Sequence, residues 1–206
     1  MALTEWLARC PLVAILRGLT PEEAVPVGEA LVDAGIVVLE VPLNSPEPIE
    51  SIRRLSRHLG DRALVGAGTV MTPAQVSEIC AAGGQLMVTP HADPELVRVA
   101  KAHRMLAVPG FFTPAEAFAL LAAGADALKL FPAEAASPAV LRALLAVLPK
   151  GTAVLPVGGM AADTIGPWRA AGARGFGLGS SLYKPGDTAA TVGEKARALV
   201  QALHGG

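Results

Sequence analysis

The chain has 206 residues, 52% of them hydrophobic and 17% charged, with a formal net charge of -1. That length and composition fit one folded domain with a sizeable core and exclude a disordered chain. The lack of any basic excess and the 4% aromatics leave no basic stripe or stacking surface for nucleic acid and no polybasic face for a membrane.

The N-terminal residues 1–10 are expected to form a short helix. An acidic Glu5 and the lack of a basic start argue against a signal peptide. The longest stretch without Asp, Glu, Lys or Arg, from Ala63 to Ser77, contains Gly66, Gly68 and Pro73 and is too short to span a bilayer. A cytoplasmic location is expected. Cys10 and Cys80 form no CxxC pair and read as buried reduced thiols.

Apolar runs then recur along the chain: Leu12–Leu16, Val37–Val41, Ala63–Val65, Leu86–Val88, Met105–Val108, Ala127–Phe131, Ala153–Val157 and Gly175–Leu178. They are nearly continuous rather than alternating, as expected of strands buried on both faces of a parallel sheet. A small polar residue and a proline follow each of the first six, at Thr20-Pro21, Ser45-Pro46, Thr72-Pro73, Asp93-Pro94, Thr113-Pro114 and Ser137-Pro138. Each pair reads as a helix N-cap with proline in the first turn. Glu23, Gln75 and Glu116 complete capping boxes. Successive caps are 25, 27, 21, 20 and 24 residues apart, the length of one strand plus one helix. Ala34-Gly35, Ala82-Gly83, Ala123-Gly124 and Ala171-Gly172 read as helix C-termini before alternate strands. Eight strand–helix units predict an α/β fold, a single-domain (β/α)8 TIM barrel over 1–206, in preference to an open doubly wound sheet.

In such a barrel the chemistry lies at the C-terminal ends of the strands. Lys129, inside Leu128-Lys129-Leu130-Phe131, and Glu40, inside Val37-Val38-Leu39-Glu40-Val41, are charges embedded in buried runs. A desolvated lysine is a nucleophile toward a ketone, and a buried carboxylate beside it is a general acid/base. A plain ion pair between them, or a lysine reaching out to water, is the structural alternative. Arg17, ending the first strand, suits a substrate carboxylate, and Thr69 adds a hydroxyl. The last two units replace the Pro caps with Gly158-Gly159-Met160 and Gly179-Ser180-Ser181, whose free N–H groups at helix starts would bind phosphate. No metal site is expected, because His58, His91, His103 and His204 show no ligand spacing, and His91, after Pro90 near a strand end, reads as a surface residue. Gly66-Ala67-Gly68 lacks the third glycine of a nucleotide fingerprint, so no cofactor is expected.

The segments Pro11-Leu12-Val13-Ala14-Ile15-Leu16-Arg17-Gly18, Glu40-Val41-Pro42-Leu43-Asn44-Ser45-Pro46, Gly66-Ala67-Gly68-Thr69-Val70, Leu128-Lys129-Leu130-Phe131-Pro132 and Gly177-Leu178-Gly179-Ser180 resemble the KDPG/KHG aldolase family, in family order. The resemblance implies class I aldolase chemistry on a phosphorylated keto-sugar acid without a cofactor. It implies Lys129 as the Schiff-base lysine and Glu40 as the proton carrier. Arg17 and Thr69 would hold the carboxylate, and Gly158, Gly179 and Ser180 the phosphate. It also implies a homotrimer. Leu43-Asn44-Ser45 replaces the arginine that phosphogluconate-type members carry after the glutamate. With arginine at Arg17 and the ending Gly179-Ser180-Ser181-Leu182-Tyr183, the chain resembles the branch acting on 2-dehydro-3-deoxy-6-phosphogalactonate. The C4 epimer, an imine-free barrel isomerase and a non-catalytic phosphosugar-binding module remain as alternatives.

Overall fold

A computed structural model describes residues 1–204; Gly205, Gly206 and the side chain of His204 lie outside the described residues. Helix α1 (Leu3–Arg9) precedes strand β1 (Leu12–Ile15). There follow α2 (Pro21–Asp33), β2 (Val38–Pro42), α3 (Pro48–Leu59), β3 (Leu64–Gly68), α4 (Pro73–Ala81), β4 (Leu86–Val88) and α5 (Pro94–Ala102). The second half runs β5 (Leu106–Val108), β6 (Gly110–Phe111), α6 (Pro114–Ala122), β7 (Leu128–Leu130), α7 (Pro138–Val147), β8 (Val154–Pro156), α8 (Ile165–Ala170), β9 (Phe176–Leu178) and α9 (Ala189–His204).

The strands are parallel. One sheet has the order β5-β4-β3-β2-β1-β9 and a second the order β6-β7-β8, and a single bridge, Val157 to Gly177, links β8 to β9. The expected fifth strand is observed as β5, and beyond it Pro109, which has no N–H for the ladder, separates a further two-residue strand, β6, that was not expected. The Pro109 carbonyl still accepts the Lys129 N–H at 2.9 Å, and the Gly110 N–H turns to Thr89 Oγ1 at 3.1 Å. This is an α/β fold with a curled parallel sheet.

Strand alternation divides the core into two layers. Leu12, Ala14, Leu39, Val41, Val65, Met87, Leu128, Leu130 and Phe176 face the surrounding helices and are buried there. Val13, Val38, Leu64, Leu86, Val88, Val108 and Leu155 form a second, inner cluster. Leu3, Trp6 and Leu7 of α1 join this inner layer, each adding about 1.5–3 kcal/mol by burial. With both faces dry, the strands read as unbroken apolar runs.

The proline punctuation holds at five of its six positions. Thr72 and Thr113 accept from the N–H groups of Gln75 and Glu116, whose side chains bond back to the cap N–H groups. Glu23 likewise takes the Thr20 N–H at 3.0 Å, but the Thr20 hydroxyl donates to the same carboxylate instead of capping. Ser45-Pro46 is not a helix start. The Ser45 hydroxyl accepts the Gly18 N–H at 2.9 Å, and α3 begins two residues beyond Pro46, at Pro48. Gly35, Gly83, Gly124 and Gly172 follow their helices with positive φ, which a side chain would disfavour. Cys10 is buried, but Cys80 is only half-buried.

Candidate active site

Position 40 on β2 and position 129 on β7 fall on the inner face of the sheet. Glu40 shares that face with Val38, while the neighbours of Lys129, Leu128 and Leu130, face the helices. The result is two charged side chains lining one inner chamber, with Val13, Ile15, Val88, Val108, Leu155 and Val157 around them. Glu40 is 2% exposed and Lys129 is 7% exposed.

Lys129 is fixed by its backbone on both sides. Its residue pairs with Gly110 of β6 and Leu155 of β8. Its Nζ stands 4.7 Å from the centroid of the Phe131 ring. Burial lowers the amine's pKa, the Glu40 carboxylate opposes that shift, and the Arg17 guanidinium adds to it. Glu40 is pushed up to about 7, chiefly by burial, against the pull of Lys129 and Arg17. Its Oε2 is buried without a hydrogen-bond partner among the described residues. Buried polar atoms normally have partners, so this oxygen is available to a bound molecule or water. No direct salt bridge between Lys129 and Glu40 is present among the described residues. The plain ion pair is therefore not formed. Each group acts on the other through space.

The chamber shares Ile15, Val157 and Gly177 with an open cleft of about 350 Å³. Arg17, Gly158, Gly179 and Ser180 line this cleft, as do Phe131, Glu134, Tyr183 and Lys184. A cleft of this size suits a small metabolite. Two cations, Arg17 and Lys184, and turn N–H groups favour an anion there, set against one carboxylate, Glu134. The Arg17 guanidinium makes no salt bridge among the described residues.

Three expectations change. The Gly158-Gly159-Met160 and Gly179-Ser180-Ser181 segments do not start helices, because α8 begins at Ile165 and α9 at Ala189. They are turns. Gly158 and Gly159 have φ of 112° and 65°, and Gly179 O accepts the N–H groups of Leu182 and Tyr183. The N–H groups of Gly158, Gly159, Gly179 and Ser180 make no hydrogen bond among the described residues, so turn geometry rather than a helix terminus offers the donors. Thr69 follows Gly68 in a left-handed conformation (φ 58°) and lines neither the chamber nor the cleft. His91, expected at the surface, is half-buried, and its Nδ1 has no partner among the described residues.

Sequence reasoning missed Phe131, Glu134, Tyr183 and Lys184. Phe131 was within reach, since it lies two residues beyond Lys129 and strand alternation puts both on one side. The Glu134 carboxylate lies over Gly158 and Gly159, where any Cβ would meet it. Among the described residues no group of three His, Cys, Asp or Glu side chains could hold a metal, and no helix is long and apolar enough to cross a membrane.

The chain matches the model of the family described as KDPG and KHG aldolase over residues 3–191. It is 46% identical over 199 residues to a probable 2-dehydro-3-deoxy-6-phosphogalactonate aldolase of Rhizobium meliloti, covering 95% of this chain and 94% of the relative. It is 45% identical over 200 residues to the 2-dehydro-3-deoxy-6-phosphogalactonate aldolase of Escherichia coli, covering 97% and 98%. A solved structure described as native KDPGal superposes with a TM-score of 0.93 at 45% identity, covering 95% of each chain.

Proposed function

The chain belongs to the KDPG and KHG aldolase family, and from that premise we propose that it is a class I aldolase cleaving 2-dehydro-3-deoxy-6-phosphogalactonate to pyruvate and D-glyceraldehyde 3-phosphate. The observation that carries the reading is the apolar-walled chamber shared by Lys129 and Glu40, which adjoins the cleft of Arg17, Gly158, Gly179 and Ser180 through Ile15, Val157 and Gly177. The named activity of relatives similar over almost the whole chain supports the substrate.

In this mechanism Lys129 Nζ attacks the C2 ketone and the carbinolamine loses water to give a protonated imine. Glu40 takes the proton of the C4 hydroxyl as the C3–C4 bond breaks. The bond's electrons flow into the imine, which becomes an enamine, and the aldehyde product leaves. Protonation at C3 and hydrolysis of the imine release pyruvate and regenerate the amine. A carboxylate with a pKa near 7 can both take and return protons at neutral pH. Arg17 pairs with the substrate carboxylate, and Thr69, directly after Gly68 at the end of β3, is read as its hydroxyl partner although it lies outside the cleft lining. Gly158, Gly179 and Ser180 hold the phosphate through turn N–H groups. No cofactor takes part, because the imine itself is the electron sink.

The reading includes one (β/α)8 domain over 1–206. The Val157–Gly177 bridge and the continuous chain through Pro109 support closure of the two sheets into one barrel. It also includes a cytoplasmic homotrimer, for which exposed Met71, Phe112 and Phe118 supply apolar surface to cover.

The deciding experiment is reduction with sodium borohydride in the presence of pyruvate, followed by peptide mass analysis. An irreversible adduct on Lys129 with loss of activity is expected; absence of any adduct would overturn the imine mechanism. Cleavage kinetics on the two C4 epimers test the substrate, with equal efficiency overturning the galactonate assignment alone.

A further inference from the structure

Arg17 is carried on the short connection between β1 and α2, and that connection is tied down from two sides. The Gly18 N–H, next to Arg17, donates to Ser45 Oγ at 2.9 Å. Ser45 is 8% exposed and lies in the β2–α3 connection. On the other side, Pro185 of the β9–α9 connection packs against Gly18 so closely that a Cβ there would stand 2.6 Å from Pro185 Cγ. Two residues earlier in that connection, the Tyr183 hydroxyl donates to Glu23 Oε2 at 3.3 Å. Glu23 already accepts the Thr20 N–H and hydroxyl at 3.0 and 2.8 Å, so the bond reaches the same β1–α2 connection. Tyr183 is 2% exposed and lines the cleft beside Gly179 and Ser180. The Leu16 N–H, just before Arg17, donates to the Glu40 carbonyl at 2.9 Å.

We propose that Tyr183 and Ser45 are positioning residues that hold Arg17 at a fixed spacing from the Gly179–Ser180 turn, and so set the separation of the two anion sites that grip the substrate. The proposal rests on the reading of Arg17 as the carboxylate anchor and of the turn as the phosphate anchor. A guanidinium on a long, otherwise unpaired side chain loses rotamer and loop freedom when it binds a carboxylate. Pinning its backbone before the substrate arrives reduces that loss, so the gain is tighter binding of the carboxylate rather than a faster chemical step. Neither Tyr183 nor Ser45 need touch the substrate carboxylate to act in this way.

The test compares Tyr183→Phe, Ser45→Ala, Arg17→Ala and the double variant Tyr183→Phe/Arg17→Ala. Melting temperature confirms folding. KM and kcat are measured on 2-dehydro-3-deoxy-6-phosphogalactonate, and half-saturation by pyruvate is measured in borohydride trapping. Tyr183→Phe and Ser45→Ala are expected to raise KM and the pyruvate half-saturation by at least threefold, with kcat and saturated trapping within twofold. The double variant is expected to lose no more pyruvate affinity than Arg17→Ala alone, because the two act through one group. If Arg17→Ala leaves pyruvate half-saturation unchanged, the anchor reading fails and the proposal falls with it. If Arg17→Ala weakens pyruvate but folded Tyr183→Phe and Ser45→Ala proteins bind it normally, the anchor stands and the positioning role is overturned. Losses that add in the double variant overturn it too. Since Ser45→Ala does not disturb the aromatic packing of Tyr183, a poorly folded Tyr183→Phe protein still leaves a decisive arm.

Discussion

Gly68 of β3, the register partner of Pro42, leaves no room for a methyl group beside the Glu40 side chain of β2: a Cβ on Gly68 would land inside the Glu40 carboxylate. The backbone of β3 thus forms one wall of the carboxylate's seat. Gly68→Ala must push Glu40 away from Lys129 or bend β3. A misplacement of this kind near reacting atoms costs about a hundredfold in rate. Steady-state kinetics should show kcat/KM down by about that factor. Pyruvate trapping on Lys129 should persist, because the amine is not displaced. Full turnover in the alanine variant would mean that the position of Glu40 is immaterial.

Burial holds the Glu40 carboxyl at about 7 against an ordinary value of 4.5. A raised folded-state value favours folding when the group is protonated, and that advantage is lost as pH rises. Below about pH 4.5 both folded and unfolded chains carry the proton. Between there and about 7 the unfolded chain ionises while the folded one resists, so stability falls; above that it is level. Glu40→Gln removes the titration. The variant should therefore gain stability over the wild type by about 1–3 kcal/mol at pH 8, with little of that gain at pH 4.5. Urea unfolding at the two pH values measures it. The same variant should lose turnover by about 10²–10⁴-fold, as expected when a general acid/base is removed.

Phe131 touches the chemistry through the Lys129 amine, which it faces at 4.7 Å. The ring attracts the ammonium form, by about 0.5–1 kcal/mol. Burial and Arg17 drive the amine toward neutrality, so the ring acts against them. Phe131→Leu keeps the site apolar and removes the π face. The acid limb of the pyruvate-trapping rate should then move down by about half a pH unit, more free amine being present at a given pH. A shift in the opposite direction would mean that the ring's main effect is to exclude water.

How much could be read from the chain depends on the range of the interactions. The strand runs and caps were legible because burial on both faces and local capping leave their marks within a few residues. Lys129 and Glu40 were legible for the same reason, as charges where the pattern allows none. Ser45 misled because its hydroxyl is spent on Gly18, on the connection of another strand. Gly158 and Gly179 misled because glycine marks a turn as readily as a helix start. The Tyr183–Glu23 bond joins residues 160 positions apart and has no local signature at all.

Ser180 tests whether the two ends of the cleft are separate. It is an exposed residue lining the cleft, in the turn whose Gly179 and Ser180 N–H groups are unpaired among the described residues. A carboxylate placed there would repel a phosphate dianion, while solvent screens the repulsion to about 1–2 kcal/mol. Ser180→Asp should raise KM for the phosphorylated substrate about tenfold, and raising the salt concentration should recover part of the loss. Pyruvate has no phosphate, so its half-saturation in borohydride trapping should not change. Equal weakening of both ligands would place the new charge at the carboxylate end and assign Arg17 and the Gly179–Ser180 turn to one anion site instead of two.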